Sequence, residues 1–361
     1  MLNFNEPCSF KILGTNPSRM MTMKITEYLY FYKAPVAKNT ALNSSNTIVI
    51  FDGKTQIMID PGLNIRKKWK RLIREMSRDG LDLKKTTEIW LTHGHPDHTG
   101  LVNKVVRKTK AKVRCHPLIK EILEDKNPTL AFNAKQKEAA GKLYKLNFFL
   151  RGLQANFLRE TLILLKVLRL KKTKIDEAFR DEEEIITDHL KIYVLYLPGH
   201  CPDEIGFWIP RKKTLIIGDL IHPLNNGLGG RSCLPVLNTF VSDLDDAQKT
   251  IEKLQKIRGG HFLFFQGIFL PKILLPTHGE PVEGRENIEK LLDNLAARIK
   301  IIRETGQITV QEYPNASVYE LVDILAKRLA KQIPENLIIP TLKYEMRFAA
   351  FAALKSLEVI K

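Results

Sequence analysis

Two hydrophobic rhythms alternate along the first part of the chain. "NTIVIFDGKTQIMIDPG" (Asn46–Gly62) holds two β-like apolar runs around Asp52-Gly53, a pair suited to a tight turn, and so predicts a hairpin whose second strand stops at Asp60. "IRKKWKRLIREMSRDG" then places apolar residues every three or four positions, the spacing of an amphipathic helix, with Gly80 near its end. "TEIWLTHGH" reads as a strand running into a histidine-rich loop, Leu101–Thr109 as a second helix, and "AKVRCHP" as another strand. Strands that alternate with helices predict an α/β architecture.

Over residues 118–180 the strand rhythm gives way to helical periodicity, as in "AAGKLYKLNFFLRGLQANFLRETLILLKVLRL", which carries Phe148, Phe149 and Phe157 among its leucines. This is read as a helical insertion, either a lid or an ordinary outer layer of helix. Strands return in "LKIYVLYLPGH" (Leu190–His200), "EIGFWIPRKKTLIIGD" (Glu204–Asp219, a hairpin turning near Arg211-Lys212) and "KILLPTHG" (Lys272–Gly279). A helix, "DAQKTIEKLQKI", falls between the last two, and from Gly284 the pattern is helical, with boundaries expected at Gly306, Pro334 and Pro340. The expected organisation is a tail (residues 1–22), a catalytic unit (23–283) bearing the insertion, and a helical C-terminal region (284–361).

Composition narrows the class. At 361 residues and 44% hydrophobic, the chain can bury a large core, and its apolar stretches are too short or too interrupted to cross a membrane, so a soluble protein is expected. The N-terminus, with Glu6 and no long apolar core, does not read as a signal peptide. Cys8, Cys115, Cys201 and Cys233 show no paired spacing, which fits a reduced cytoplasm. The formal net charge is +17, concentrated in "RKKWKRLIR", "KVVRKTKAKVR" and "KVLRLKKTK". That field would attract a polyanion such as nucleic acid, anionic lipid or a phosphorylated metabolite; otherwise the lysines merely solvate several helix faces.

The candidate chemistry lies where strands end. Metal-competent side chains stand after four strand-like runs: His93, His95, Asp97 and His98 after "IWL", His200 after "VLYLPG", Asp219 after "LIIG", and His278 after "ILLPT". Loops at one edge of a sheet can bring such groups together. Imidazole and carboxylate donors suit a borderline divalent ion, and no thiolate is placed to make a cysteine-type structural site. Seven ligands are too many for one tetrahedral ion and about right for two that share a bridge.

These residues carry a resemblance. "HGHPDH", "LPGHCPDEIGFW", "IIGD" and "PTHG" occur in the order found in the metallo-β-lactamase superfamily, and the chain is similar to that family over Asn46–Pro281. The resemblance implies an αββα sandwich with the site along one edge of its two sheets. It implies one metal on His93, His95 and His200, a second on Asp97, His98 and His278, and Asp219 bridging both. Asp60 matches an acid of the family that orients a ligand or the site loop from behind; its alternative is a simple turn-initiating aspartate. Cys201 is read as packing rather than as a nucleophile, and His116, His189 and His261 as structural.

The resemblance further implies a hydrolase that uses two divalent ions, zinc first and iron or manganese as alternatives, with a hydroxide held between them as nucleophile. The glycine- and asparagine-rich stretch "GDLIHPLNNGLGG" should be a loop lining the mouth, where His222 and Asn225 are candidates for substrate contact. An ester, thioester or lactone is the favoured substrate, since the Phe- and Leu-rich insertion could hold an acyl chain. The alternative is phosphodiester cleavage in nucleic acid, steered by the positive charge. "FAALKSLEVIK" is similar to the C-terminal helix of the family's ribonucleases, but Ala353 stands at their histidine position and Lys361 at their glycine position. An iron-dependent redox member is a third, lesser alternative. The apolar faces of the insertion could also bury against a second copy of the chain.

Overall fold

The computed structural model describes residues 22–34, 44–141, 168–225, 231–235, 237, 239–257, 271–331 and 342–360. The N-terminal tail through residue 21, Phe148, Phe149, Phe157, His261 and the stretch holding Pro334 and Pro340 lie outside them.

Strand alternation decides the layers. In β1 (Thr22–Lys24), β2 (Leu29–Tyr32), β3 (Thr47–Phe51), β4 (Gln56–Ile59), β5 (Glu88–Trp90), β6 (Lys112–Cys115) and β7 (Glu177–Ala178) the chain builds one sheet in sequence order. It is antiparallel from β1 to β4 and parallel from β4 to β7. The second sheet runs β15 (Val282–Glu283), β14 (Ile273–Pro276), β11 (Thr214–Ile217), β10 (Ile205–Ile209), β9 (Lys191–Tyr196) and β8 (Glu184–Ile186). Ile48, Ile50, Ile57, Ile59 and Trp90 of the first sheet meet Ile192, Val194, Ile205, Phe207 and Ile216 of the second in one buried cluster, so the sheets face each other. Side chains of opposite parity, Val49, Met58 and Ile89, point out of the first sheet onto helices. That two-residue period is what a strand buried on both faces requires.

Helices cover both outer faces. α1 (Arg66–Arg78), α3 (Val102–Thr109) and α4 (Pro117–Glu124) pack on the first sheet through Trp69, Leu72, Met76, Val105, Ile119 and Ile122. The short α2 (Pro96–Thr99) follows β5, and α5 (Pro128–Ala140) follows α4. α6 (Leu244–Ile257), α7 (Arg285–Glu312), α8 (Val318–Lys331) and α9 (Leu342–Ser356) share a core with Leu195, Trp208, Leu215, Ile217 and Leu274 on the second sheet. The result is the αββα sandwich expected from the resemblance.

Three local expectations are corrected. Gly306 does not end a helix: α7 runs through it to Glu312. A Cβ at that position would stand 3.2 Å from Leu357 Cδ1 and 3.5 Å from Ala353 Cβ, so the glycine serves a close helix crossing rather than a break. The stretch after Asp219 is not simply a loop. β12 (Ile221–Asn225) pairs antiparallel with β13 (Arg231–Pro235), and the hairpin tip, 226–230, lies outside the described residues. β7 also falls within the range read as wholly helical. No helix among the described residues is long and apolar enough to cross a membrane.

Candidate metal centre

The centre is assembled from loops at the C-terminal ends of β4, β5, β9, β11 and β14. β5 ends at Trp90, and the loop beyond it carries His93 and His95 into the N-terminus of α2, where Pro96 starts the turn that presents Asp97 and His98. His200 follows β9, Asp219 follows β11, and His278 follows β14, which lies parallel to β11. Residues more than 180 positions apart in sequence thereby converge, as the contact of His278 with Asp97 shows.

All seven residues singled out as ligands are brought together, in two overlapping quartets. His93, His95, His200 and Asp219 form one; Asp97, His98, Asp219 and His278 form the other; within each, one donor atom per residue lies within 4.8 Å of all the others. His95 Nδ1 stands 3.0 Å from His93 Nε2 and 2.9 Å from His200 Nε2. His278 Nε2 stands 3.0 Å from Asp97 Oδ2 and 3.2 Å from His98 Nε2. Asp219 Oδ2 reaches both groups: 3.7 Å from His93 Nε2, 3.8 Å from His200 Nε2, 3.3 Å from His98 Nε2 and 3.5 Å from His278 Nε2. Its other oxygen, Oδ1, accepts the Thr277 hydroxyl at 2.8 Å, which fixes the carboxylate plane.

The donor set fits divalent cations. Buried imidazole nitrogens that face one another near 3 Å repel unless a proton or a cation lies between them. Two nitrogens bound tetrahedrally at about 2.0–2.1 Å to one zinc ion would be a little over 3 Å apart. Burial and the neighbouring His98 hold His93 well below the ordinary imidazole range, and burial with the neighbouring His200 drives His95 down to about 4. Both are thus neutral, the form a metal requires. Among the described residues the buried His95 Nε2 has no hydrogen-bond partner, so Nδ1 is the nitrogen with work to do. Burial opposes charge on Asp97, but His98 and His278 outweigh it and keep the carboxylate ionised. Burial likewise opposes charge on His98, yet Asp219, Asp97 and Asp60 outweigh it and favour a proton there before any cation binds.

Asp60 does more than start a turn. It is fully buried at φ 49°, a left-handed conformation that aspartate tolerates. Its Oδ2 accepts from His98 Nδ1 at 2.8 Å and from the Thr92 hydroxyl at 2.5 Å, and its Oδ1 accepts the Thr92 amide at 2.9 Å. His222 and Asn225 lie on β12, just past Asp219, opposite Leu234 and Arg231 in register. His116 caps α4, accepting the Leu118 amide at 3.1 Å, and His189 stacks on Tyr28, so both have structural work. Cys201 is buried, and burial with Asp203 pushes its thiol well up, which suits packing and not attack.

A family model for the metallo-beta-lactamase superfamily matches residues 41–261. The chain belongs to that superfamily. Its members are metallo-hydrolases, and so is this chain. A metallo-beta-lactamase fold-containing protein of Sulfurisphaera tokodaii is 23% identical over 266 residues, 73% of this chain and 89% of that protein. A hydroxyacylglutathione hydrolase of Haemophilus influenzae is 27% identical over 53% of this chain and 71% of its own. A linear primary-alkylsulfatase of a Pseudomonas strain is 27% identical over 117 residues, which is only 19% of that protein. Among solved structures, a beta-lactamase domain protein from Burkholderia ambifaria aligns with TM-score 0.60 at 14% identity, over 97% of this chain and 91% of its own. A metallo-beta-lactamase family protein from Thermus thermophilus aligns with TM-score 0.58 at 15% identity, over 92% and 95%. At such identities these structures speak for the superfamily fold alone.

The superfamily motifs also hide residues that pattern reading passed over. The two acids after His200 hold other ligand loops: Asp203 Oδ2 accepts the Gly94 amide, between His93 and His95, at 2.7 Å, and Glu204 Oε1 accepts the Leu220 amide, beside Asp219, at 2.8 Å. Burial and then Asp219 push the Glu204 carboxyl well above the usual range. The His200 carbonyl accepts the Ser242 hydroxyl at 2.8 Å. Adjacent acids at a strand entry beside a ligand were the available signal for the first two; Ser242 left none.

Proposed function

We propose that the chain is a binuclear metal-dependent hydrolase acting on a carboxylic ester, thioester or lactone. His93, His95, His200 and Asp219 would hold one divalent ion, and Asp97, His98, His278 and Asp219 the other. Neutral imidazoles and carboxylates without thiolate favour zinc, though iron and manganese accept the same donors. Two such ions supply water whose pKa is lowered from 15.7 to near 7, together with positive charge for the oxygen on which charge develops. The sharing of Asp219 Oδ2 by both quartets is the observation that carries this reading.

The chain's own residues do the positioning. Asp60 and Thr277 fix His98 and Asp219 from behind. Phe132 of α5 sets its ring edge-on to His95, centroids 5.5 Å apart, and so places an apolar group beside the first quartet. That contact favours an acyl substrate, as does the likeness to a relative named for hydrolysing an acyl conjugate of glutathione. His222, three residues past Asp219, is assigned to proton donation toward the leaving group and Asn225 to substrate contact.

One observation favours a second reading, cleavage of nucleic acid. Lys104, Arg107 and Lys108 share one side of α3 by their helical spacing, and Lys104 Nζ stands 4.4 Å from the ring of Trp69 on α1, beside that helix's own basic run. A single preparation assayed against a chromogenic thioester, a lactone and labelled RNA decides between them. Acyl turnover insensitive to salt and absent in Asp219→Ala supports the proposal. RNA cleavage that falls steeply with salt and disappears in the same variant replaces it.

A further inference from the structure

Lys68 belongs to a run of basic residues that reads in sequence as a solvated face, yet its side chain is buried, 7% exposed, and aimed into the sheet edge. Its ammonium donates to Ser44 Oγ and to the Ser45 carbonyl. Burial drives its pKa down to about 7, against the pull of Asp97 and Asp60. A methionine would fill the same volume without desolvating a charge, so packing alone does not account for the group. Gly62, at φ 91°, makes the room: a Cβ there would run into the Lys68 ammonium.

The residues that Lys68 grips form a strap across the second quartet. Ser45 donates to the Asp97 carbonyl twice, from its hydroxyl at 3.0 Å and its amide at 3.2 Å, and Ser44 adds a longer contact at 3.5 Å. Asn46 donates from its amide to Thr277 O at 2.6 Å and from Nδ2 to Pro276 O and Gly279 O, both at 3.1 Å, which brackets His278. The Thr47 hydroxyl donates to the Asp60 carbonyl at 2.9 Å, behind His98. Four consecutive residues therefore hold the loops of Asp97 and His278 and the residue that orients His98. The first quartet is held by other groups, Asp203 at Gly94 and Ser242 at His200.

We propose that Lys68 is a positioning residue for the second cation cluster, acting through the Ser44–Thr47 strap. Removing the ammonium should loosen Asp97, His278 and His98 while leaving His93, His95 and His200 in place. The inference rests on the two-ion reading above.

The test is a titration of metal-free protein with Co2+ against a competing chelator, followed by the visible absorption of the bound ion. Wild type should show two binding steps; a single step of one equivalent overturns the two-ion reading itself, and this inference with it. Lys68→Met should weaken one step at least about tenfold, in the range found for residues that orient metal ligands from behind, and leave the other step unchanged. The unchanged step also shows that the variant is folded. Both steps unchanged, or both weakened alike, overturns the proposal. If Lys68→Met fails to fold, Ser45→Ala, which cuts only the hydroxyl to Asp97, must show the same selective loss, and the proposal fails if it does not.

Discussion

Asp60 Oδ2 lies 2.8 Å from His98 Nδ1, and both side chains are fully buried. With Nδ1 engaged by that oxygen, Nε2 is left to face Asp97, Asp219 and His278. The consequence is a ring held in one orientation before any cation arrives, with Nε2 the nitrogen that gives up its proton to a metal. Asp60→Asn offers an amide that can turn its donor toward His98. We expect about a 10–100-fold loss of cation affinity at the second quartet with little change in fold. Metal titration and far-ultraviolet circular dichroism measure the two, and unchanged affinity would deny Asp60 this role.

His95→Ala and Asp219→Ala should reduce hydrolysis to background. They differ in metal content: the first removes a donor from one quartet, the second from both. Elemental analysis of wild type should return about two equivalents per chain, His95→Ala about one, and Asp219→Ala fewer than either. Because the ligands sit on loops beyond the strand ends, thermal unfolding of the metal-free variants should stay close to that of metal-free wild type. A wild type that holds well under one equivalent would remove the two-ion mechanism.

Much of this centre is legible in sequence because each ligand follows a strand of unmistakable alternation. Ile192 and Val194 against Leu195 in β9, and Ile216 against Leu215 and Ile217 in β11, mark strands buried on both faces, and the chain emerges from each at the sheet edge beside His200 and Asp219. What was not legible depends on long-range pairing. Nothing near Lys68 distinguishes it from the exposed Lys67 and Lys70; only the arrival of Ser44 and Ser45 makes it a buried donor. Gly306 misled for the same reason, since a glycine that breaks a helix and one that admits a neighbouring helix look alike until the neighbour is placed. The β12–β13 hairpin was missed because Pro223 and the glycine-rich stretch at its tip read as loop.

Alkaline stability has an assignable source away from the cations. The Tyr32 hydroxyl donates to Asp79 Oδ2 at 2.8 Å, and burial, then that bond, raise the phenol far above its ordinary value. A raised acid keeps its proton in the native state after the unfolded chain, with a phenol pKa of about 10, has released it. Stability should therefore be intact below about pH 10 and fall as pH rises through that value. Tyr32→Phe loses the hydrogen bond at neutral pH, a cost of about 1 kcal/mol, but should flatten the decline above pH 10. Denaturant midpoints at pH 8 and pH 11 for both proteins provide the comparison, and parallel declines would assign the effect elsewhere.

The crossing of α7 with α9 gives a prediction with opposite outcomes at one position. At Gly306 a new Cβ would meet the flexible tip of Leu357 at 3.2 Å, with Ala353 Cβ at 3.5 Å and Leu325 Cδ2 at 3.7 Å. Alanine gains up to about 1 kcal/mol of helix propensity over glycine, and the Leu357 tip can give by a few tenths of an ångström. Gly306→Ala should accordingly be neutral or slightly stabilising. Gly306→Leu cannot be accommodated between Leu325 and Ala353 without separating the helices, and should cost about 1–3 kcal/mol. Urea midpoints of the two variants test the pair. A leucine tolerated as well as alanine would mean that α9 does not dock against α7 at this distance, and that the glycine has no packing role.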